Sequence, residues 1–316
     1  MGILTFCILP GLIISNMKIA ILSRGPQLYS TQSLVRAGMQ RGHSMHIVDH
    51  TRCTLAVGRG RPKIYYNDYQ LQRFDAIIPR IGASVTLQGA SVISQFEMMQ
   101  AFTVAGAEAL LQSRDKLRCL QKLARAGIEV PRTASVAAGQ DLMPLLRELG
   151  GLPVVIKLLE STHGNGVLLA ETYRTAESMI EAFQRLGERI IVQEFIHEAK
   201  GADIRALVVA GEVVATMKRQ ARGGEFRYNL HRGATAEAVV LSEEEKEIVQ
   251  KSVRILGLDV AGVDFLRSRH GPLVMEVNAS PGLEGIEGTT GVDVAGKIIE
   301  YIERRCNELR HVSTQE

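Results

Sequence analysis

Three oxygen-bearing side chains near the end of the chain fall on one face of a predicted β-hairpin. Asp264 lies in one apolar strand, and Glu276 and Asn278 lie in the next. A turn centred on His270 places Asp264 opposite Glu276, and Asn278 shares that face. Like charges opposite each other on a sheet repel, and oxygen ligands suit Mg²⁺, so the spacing predicts a divalent-cation site. In the alternative, one or both carboxylates face solvent.

The reverse face of this predicted hairpin supports the same register. It pairs Val263 with Val277, and Phe265 with Met275. All four side chains are apolar, so the register buries one complete face. Because three oxygen ligands coincide with an apolar reverse face, the metal interpretation is favoured over the solvent-facing one.

Two lysines suggest a phosphate site. Lys157 interrupts an otherwise apolar predicted strand, and lysine is rarely buried without a partner. The turn Gly164-Asn165-Gly166 follows closely, and backbone amides in such a turn can approach phosphate oxygens. The alternative for Lys157 is a sheet edge with the ammonium group in water. Lys116 lies in the first turn of a predicted helix, where a cation opposes the helix dipole, and by itself is more typical of a surface lysine.

Other polar patterns are weaker. Gln193 and Glu194 end a predicted strand, which is ordinary for a strand end. Asp203 and Arg205 share a face of the next strand, where a structural ion pair is the simplest interpretation. Residues 225–233 form a glycine-bounded segment that is either a solvated loop or a mobile cationic loop over an anionic reaction centre. Its cations are Arg227, His231 and Arg232.

Strands and helices alternate along the chain, which indicates an α/β fold, and in the first part this alternation predicts a layer with parallel strands. In the first part we predict strands at 18–23, 46–49 and 75–80 and helices at 30–41 and 92–104. The later predicted strands are 133–136, 154–159, 167–170, 190–194, 204–209, 212–217, 261–267 and 273–278. The later predicted helices are 113–126, 141–149, 175–186, 242–256 and 294–310. Ser113 is the predicted cap of its helix, and Ser242 with Glu245 forms a capping box.

Composition excludes several classes of protein. The 316 residues, 46% hydrophobic and 22% charged, are typical of a folded protein of about two domains. A net charge of +3, no Trp and 5% aromatic residues give no support for direct nucleic-acid binding. The four cysteines form no C-x-x-C pair, so they predict neither a zinc site nor a disulfide framework and suit a reducing cytoplasm. No G-x-G-x-x-G follows the first strand, which disfavours a dinucleotide site there.

Residues 1–16 contain an apolar run that is interrupted by Pro10 and Gly11, and no Lys or Arg precedes this run. The run is too short to span a bilayer and lacks the basic start of a secretory signal. We expect Met17, which directly precedes the first strand, to be the natural start. An interfacial anchor is the less favoured alternative.

Together these features resemble the ATP-grasp superfamily and, within it, the RimK family. The resemblance rests on K-I-A-I-L-S-R at 18–24, P-R-I-G at 79–82, S-R-D-K-L at 113–117, F-R-Y-N-L-H-R-G at 226–233 and M-E-V-N-A-S-P-G-L-E-G-I-E at 275–287. It extends from Met17 to about Arg305. It implies an ATP-grasp fold preceded by a Rossmann-like pre-ATP-grasp domain, with regions 1–16 (extension), 17–111, 112–305 and 306–316 (tail).

The resemblance also implies a role for each site residue. Lys116 and Lys157 would hold ATP phosphates, and Asp264, Glu276 and Asn278 would bind two Mg²⁺ or Mn²⁺ ions. The remaining implied nucleotide contacts are Glu194 and Phe195 at the adenine, Asp203 at the ribose, and Arg227, Tyr228 and Asn229 near the phosphates. Arg227 would be catalytic, because it would stabilise charge on the transferred group. Arg24, Arg80, Arg222 and Arg232 are expected to include the ligands of substrate carboxylates.

The implied activity is ATP-dependent addition of L-glutamate to the C-terminus of a small-subunit ribosomal protein, through an acyl phosphate. A cytoplasmic homo-oligomer, a tetramer by resemblance, with no membrane partner is expected. Two alternatives stay open: a related ligase that adds glutamate to a coenzyme or a carrier protein, and a non-catalytic nucleotide-binding regulator. Intact Lys157, Asp264, Glu276 and Asn278 argue against the regulator.

Overall fold

The computed structural model describes residues 16–137, 139–159, 166–221 and 233–313. Within them strands and helices alternate, which confirms the predicted α/β class. Predicted features at 1–15, at Gly164 and Asn165, and at 222–232 lie outside the described residues. No helix in the described part of the chain is both long enough and apolar enough to cross a membrane.

A parallel sheet forms the centre of the N-terminal region. The elements of this region are β1 (Lys18–Leu22), α1 (Tyr29–Gln40), β2 (Ser44–Val48), β3 (Cys53–Ala56), β4 (Lys63–Tyr66), β5 (Tyr69–Gln70), β6 (Ala76–Pro79), α2 (Thr86–Met98) and β7 (Phe102–Thr103). The parallel sheet has the order β2-β1-β6-β7. Strands β3 to β5, which were not predicted, form a small antiparallel sheet. The chain leaves β1 towards β2 and later returns to β6 on its other side, so a crevice forms at the carboxyl ends of β1 and β6.

The connection to the second half differs from its prediction. The predicted helix at 92–104 is wrong in its bounds, because α2 ends at Met98 and Phe102 pairs with β6 as a strand. Two helices follow, α3 (Ala107–Arg114) and α4 (Lys116–Arg125). The predicted cap at Ser113 is also wrong, because Ser113 lies inside α3. Asp115 caps α4 instead, accepting the amide of Arg118 at 3.1 Å.

The next unit is a four-stranded antiparallel sheet covered by two helices. It contains β8 (Thr133–Ser135), α5 (Leu142–Glu148), β9 (Val154–Leu158), β10 (Val167–Ala170), α6 (Tyr173–Arg185) and β11 (Ile190–Glu194). The order is β10-β9-β11-β8. Ile156 and Val192 pack against Ile180 of α6 in its core. Strand β9 therefore buries one face and directs Lys157, on the other, away from these helices.

A five-stranded antiparallel sheet and three helices complete the fold. They are β12 (Ala202–Val209), β13 (Glu212–Gln220), β14 (Thr235–Ala238), α7 (Glu243–Leu256), β15 (Val260–Ser268), β16 (Gly271–Asn278), α8 (Glu284–Thr290) and α9 (Val294–Ser313). The order is β14-β13-β12-β15-β16. The predicted capping box of α7 is confirmed, and Gly257 ends that helix with φ +70°. Helix α9 continues through the region 306–313 that the resemblance assigned to a tail.

Both hairpins of this sheet contain a one-residue bulge. In β15–β16, Asp264 pairs with Glu276 and Val263 with Val277, as predicted. The predicted pairing of Phe265 with Met275 is wrong. The extra residue Met275 shifts the register, so that Phe265 pairs with Val274.

Shared cores join the N-terminal region to the five-stranded sheet. One core includes Phe96 of α2 together with Val263 and Phe265 of β15. Another joins the parallel sheet to α9, where Ile78 and Ile302 are buried. These contacts hold the carboxyl edge of the parallel sheet beside the end of β16, where Ser280 Oγ donates to the Pro79 carbonyl at 3.2 Å.

Candidate functional site

Charged side chains alternate across one face of the five-stranded sheet. Arg219 of β13 lies opposite Asp203 of β12, and Arg205 of β12 lies opposite Asp264 of β15. Asp264 in turn lies opposite Glu276 of β16. Because each strand of an antiparallel sheet directs alternate residues to the same face, these pairings collect five charges in one band.

The band is held together by arginine–carboxylate pairs. Arg205 Nε donates to Asp264 Oδ1 at 2.7 Å, and Arg219 Nη2 donates to Asp264 Oδ2 at 2.9 Å. Arg219 also donates through Nε and Nη2 to both oxygens of Asp203, with Nε–Oδ1 at 2.8 Å. The expected pair between Asp203 and Arg205 is therefore replaced by three pairs across the strands. Arg219 connects the two buried carboxylates.

The two carboxylates respond differently to this environment. Burial alone would raise the pKa of Asp264, but the guanidinium groups of Arg205 and Arg219 hold that pKa well below its usual range. Asp203 is only 1% exposed, and burial raises its pKa despite the Arg219 guanidinium. The neighbouring Asp264 charge acts in the same direction as burial. Asp264 is thus the firmly ionised carboxylate of the pair.

Glu276 and Asn278 complete the oxygen donor set. Asn278 Nδ2 donates to Glu276 Oε1 at 2.8 Å, and both side chains are partly exposed. Within the described ranges no group of three or more His, Cys, Asp or Glu side chains has metal-binding spacing. The donor set consists of two carboxylates, Asp264 and Glu276, with the Asn278 amide oxygen. Hard oxygen donors of this kind fit Mg²⁺, which keeps several water ligands of its own.

Lys157 enters from the four-stranded sheet. Its Nζ donates to Gln193 Oε1 at 2.5 Å, and Gln193 Nε2 donates to Thr133 Oγ1 at 2.8 Å. The pKa of Lys157 is lowered to about 8, mainly by burial and also by the Lys116 cation, while the Glu276 charge opposes the shift. Lys157 and Glu276 therefore interact electrostatically across the space between the two sheets.

Lys116 lies at the first position of α4 and is not a surface lysine. Its Nζ donates to the carbonyl of Leu159, just after β9, at 3.1 Å. Burial lowers the pKa of Lys116, and the Glu276 charge again opposes the shift. Both predicted phosphate lysines thus converge on Glu276, which joins the two predicted sites into one.

The remaining predicted residues have separate positions. Glu194 ends β11, where its carboxylate accepts from Arg132 Nε at 2.9 Å and Nη2 at 2.7 Å. Phe195 follows, with its ring edge-on to His197 at 4.8 Å between centroids. Arg24 is exposed and donates to Ser84 Oγ at 3.2 Å. Five predicted residues lie outside the described residues: Arg222, Arg227, Tyr228, Asn229 and Arg232.

Two residues of this site were not predicted. A simple two-residue turn at Ala210-Gly211 would place Lys218 opposite Asp203, but the extra residue Val214 brings Arg219 there instead. Arg114 ends α3 and donates to the Ile81 carbonyl at 2.7 Å. Burial lowers the pKa of Arg114 and the Glu276 charge opposes the shift, so Arg114 belongs to the same charged cluster.

Comparison with known families matches both halves of the chain. Residues 17–110 match the RimK PreATP-grasp domain, and residues 113–302 match the RimK-like ATP-grasp domain. A probable alpha-L-glutamate ligase of Ectopseudomonas mendocina is 55% identical over 290 residues, covering 92% of this chain and 96% of that protein. A probable alpha-L-glutamate ligase of Teredinibacter turnerae is 56% identical over 294 residues, covering 93% and 98%.

A solved structure shares the fold at low sequence identity. The ATP-grasp ligase PsnB, complexed with a minimal precursor, Mg and ADP, superposes with a TM-score of 0.71 at 19% identity. The superposition covers 92% of this chain and 98% of PsnB. The predicted order of a pre-ATP-grasp domain followed by an ATP-grasp domain is thereby confirmed.

Proposed function

The chain belongs to the RimK family of ATP-grasp ligases, and from that premise we propose that it adds L-glutamate to the C-terminal carboxylate of a small-subunit ribosomal protein. The proposed reaction uses ATP and passes through an acyl phosphate. Enzymes of this family are ligases that form C–N bonds. The acceptor, the intermediate and the residue roles below are the parts we propose.

One observation carries the proposal. Lys116 and Lys157 come from two different elements, yet both interact with Glu276, whose strand neighbour is Asp264. Cations suited to ATP phosphates and oxygen donors suited to Mg²⁺ therefore face one space between the two sheets. Phosphoryl transfer requires mainly positioning and charge neutralisation, which this arrangement supplies.

A carboxylate must be activated before an amine can displace one of its oxygens, because that oxygen is a poor leaving group. Transfer of the ATP γ-phosphate to the acceptor carboxylate gives an acyl phosphate, from which the glutamate amine displaces inorganic phosphate. Lys116 and Lys157 would orient the transferred group, and Arg227 would stabilise the charge that develops on it. Asp264, Glu276 and Asn278 would hold Mg²⁺ or Mn²⁺, two ions by resemblance. A bound ion would neutralise phosphate charge.

Other roles concern the nucleotide. The backbone at Glu194 and Phe195 would contact the adenine, and Tyr228 and Asn229 the phosphates. Asp203 would contact the ribose, for which it would share an oxygen with Arg219. The Mg and ADP in the PsnB structure support a nucleotide–metal site in this fold.

The acceptor is the most specific part of the proposal. The curated relatives are named glutamate ligases, and PsnB was solved with a precursor bound. We favour a protein C-terminus in the cytoplasm, acted on by a homo-oligomer, without a membrane or nucleic-acid partner. A coenzyme or a carrier protein is the second candidate for the acceptor, since the nucleotide-binding residues do not determine which acceptor is used.

Intact-mass analysis tests this proposal. Purified enzyme is incubated with the ribosomal protein, Mg²⁺, ATP and L-glutamate, in parallel with Lys157→Ala and Asp264→Ala. We expect a ladder of glutamyl additions that neither variant produces. Glutamate-dependent ADP release without a ladder would mean that the enzyme acts on another acceptor. Nucleotide binding without any ADP release would contradict a ligase.

A further inference from the structure

Arg80 lies at the carboxyl end of the parallel sheet, in the crevice between β1 and β6. Its backbone amide donates to the Leu22 carbonyl at 3.0 Å, which fixes it at the end of β6. The side chain lies deep in the protein but keeps part of its surface open to solvent. Crevices at this position of an open parallel sheet are the usual ligand sites of such folds.

Arg80 has no anionic partner in the described part of the chain. None of the ion pairs or side-chain hydrogen bonds found there involves its guanidinium group. The pKa of Arg80 is lowered to about 10, mainly by burial and also by the neighbouring Arg114 cation. Two arginines held together in a desolvated crevice repel each other unless an anion lies between them.

Arg114 links this crevice to the catalytic space. It approaches the loop after β6 through its bond to Ile81, and it also interacts with Glu276. Lys116 lies two residues further and interacts with the same carboxylate. Arg80 directly precedes Ile81, and the Arg114 cation lowers the pKa of Arg80. Arg114 therefore connects Arg80, at the end of β6, to the charged cluster around Glu276.

We propose that Arg80 and Arg114 form a subsite for a substrate carboxylate at the carboxyl end of β6. This inference rests on the proposed ligase function and identifies where the N-terminal region binds substrate. The planar guanidinium group donates two parallel hydrogen bonds to a carboxylate, a geometry that an ammonium group does not offer. The carboxylate belongs either to the C-terminus of the acceptor or to L-glutamate, and the subsite chemistry is the same for both.

The nucleotide is the less suitable occupant of this subsite. Lys116 and Lys157 already provide cations beside β9. Arg80 lies instead at the end of β6, next to Ile81, whose carbonyl accepts from Arg114. A substrate carboxylate bound there would have its own cations and would not depend on the two nucleotide lysines.

Equilibrium titrations of wild type, Arg80→Met, Arg80→Lys and Arg114→Met test the subsite without turnover. The probes are an acceptor peptide with a free C-terminal carboxylate, the same peptide as its C-terminal amide, L-glutamate, and a non-hydrolysable ATP analogue. We expect wild type to prefer the free carboxylate to the amide. Arg80→Met should weaken carboxylate binding by about 10-fold or more, with partial recovery in Arg80→Lys. Affinity for the ATP analogue should stay unchanged.

The probes distinguish the source of the carboxylate. If Arg80→Met lowers the affinity for the peptide alone, the subsite binds the acceptor. If it lowers the affinity for L-glutamate alone, the subsite binds the amine donor. Three results would overturn the subsite. In the first, Arg80→Met weakens binding of the ATP analogue as much as that of the carboxylates; in the second, it leaves the binding of both carboxylates unchanged; in the third, wild type itself binds neither carboxylate. Failure of the ligase proposal itself is detected separately, by the absent mass ladder.

Arg73→Met is the matched control, because Arg73 is an exposed arginine of the same region. It should bind all four probes like wild type. Thermal unfolding of each variant excludes misfolding as the cause of lost binding. Arg80 has no described side-chain partner to lose and is repelled by Arg114, so Arg80→Met should unfold at or above the wild-type temperature.

Discussion

The two sheets that face each other across the site balance their buried charges in opposite ways. On the five-stranded sheet, Asp264 accepts from two guanidinium groups and Arg219 satisfies a second carboxylate. On the four-stranded sheet, the described partner of Lys157 is the neutral amide oxygen of Gln193. In one sheet Asp203 and Asp264 are paired with arginines of the same sheet, whereas the other sheet carries a cation whose counter-ion is not part of that sheet.

The difference separates charges that hold the fold from charges that bind a ligand. Breaking a buried ion pair leaves an unpaired charge and is costly, so the arginine–carboxylate band contributes to stability once formed. A buried lysine without a carboxylate partner destabilises the fold, and its retention is explained by an anion such as a phosphate. Substitutions in the two sheets should therefore affect activity alike and stability oppositely.

Asp264→Asn should have the largest effect, because it damages both properties. It removes a proposed metal ligand and leaves Arg205 without a carboxylate partner, while Arg219 keeps only Asp203. We expect ligase activity to fall by about 10³-fold, from the loss of several kcal/mol of charge stabilisation. The free energy of unfolding should fall by about 3 kcal/mol in denaturant titrations. Asp68→Asn, at an exposed position with φ 69°, is the control and should be neutral. Full stability in Asp264→Asn would contradict the proposed role of the band.

Lys157→Met should separate the two properties. Activity should fall by about 10²-fold or more, since one donor to the transferred phosphate is lost. The free energy of unfolding should stay equal or rise, because a buried cation is replaced by an apolar side chain of similar length. Denaturant titration measures the stability, with exposed Lys297→Met as the control. A marked loss of stability would mean that Lys157 has a structural partner and would remove the contrast between the sheets.

The pH dependence of ATP binding should sharpen the contrast further. Burial lowers the pKa of Lys157 from 10.5 to about 8, so the free enzyme loses this charge as the pH rises through 8. ATP affinity should then decrease by up to about 10-fold per pH unit, with uptake of a proton on binding. Calorimetry in buffers of different ionisation enthalpy measures that proton. Lys157→Arg stays charged and should show no such uptake; equal uptake in both proteins would rule out Lys157 as its source.

The same shift has a consequence for stability. The unfolded chain binds the Lys157 proton more strongly than the folded chain, because the pKa is 10.5 in one and about 8 in the other. As the pH increases from about 8 to 10.5, the free energy of unfolding of wild type should rise relative to that of Lys157→Met. Below about pH 8 the difference between the two proteins should be constant.

Thr133→Val should have the smallest effect. Thr133 Oγ1 accepts from Gln193 at 2.8 Å and so orients the amide that holds Lys157. Its loss should raise the KM for ATP by about 3-fold, with little change in kcat, since a single neutral hydrogen bond contributes about 1 kcal/mol. Exposed Thr235→Val provides the control. An unchanged KM would show that Gln193 is oriented by its other contacts.

Much of the second half of the fold could be predicted because its patterns are local. Strand β11, the capping box of α7 and the opposition of Asp264 to Glu276 follow from apolar periodicity and turn residues. Strands β3 to β5 were missed because their short segments carry no comparable apolar run. The helix bounded by Ser113 was misplaced because Asp115, an equally good cap, lies two residues further.

The site itself depends on features that a single sequence does not display. The bulge at Val214 determines that Arg219, and not Lys218, meets Asp203. A single extra residue in a strand changes the apolar alternation too little for the bulge to be recognised from the sequence. The proximity of Arg80 and Arg114 arises from tertiary contact between two regions, which no spacing along the chain reveals.

Oxygen-isotope transfer tests most directly whether the two sheets bring an ATP phosphate to a substrate carboxylate. An acceptor peptide labelled with oxygen-18 in its C-terminal carboxylate is incubated with enzyme, Mg²⁺, ATP and L-glutamate, and the released phosphate is analysed by mass spectrometry. We expect one labelled oxygen in the phosphate released by the first glutamate addition to each peptide, because the phosphate leaves the acyl phosphate with a carboxylate oxygen. Later additions activate the unlabelled carboxylate of the added glutamate and should release unlabelled phosphate. Unlabelled phosphate from the first addition, or label in AMP, would contradict phosphoryl transfer to the carboxylate.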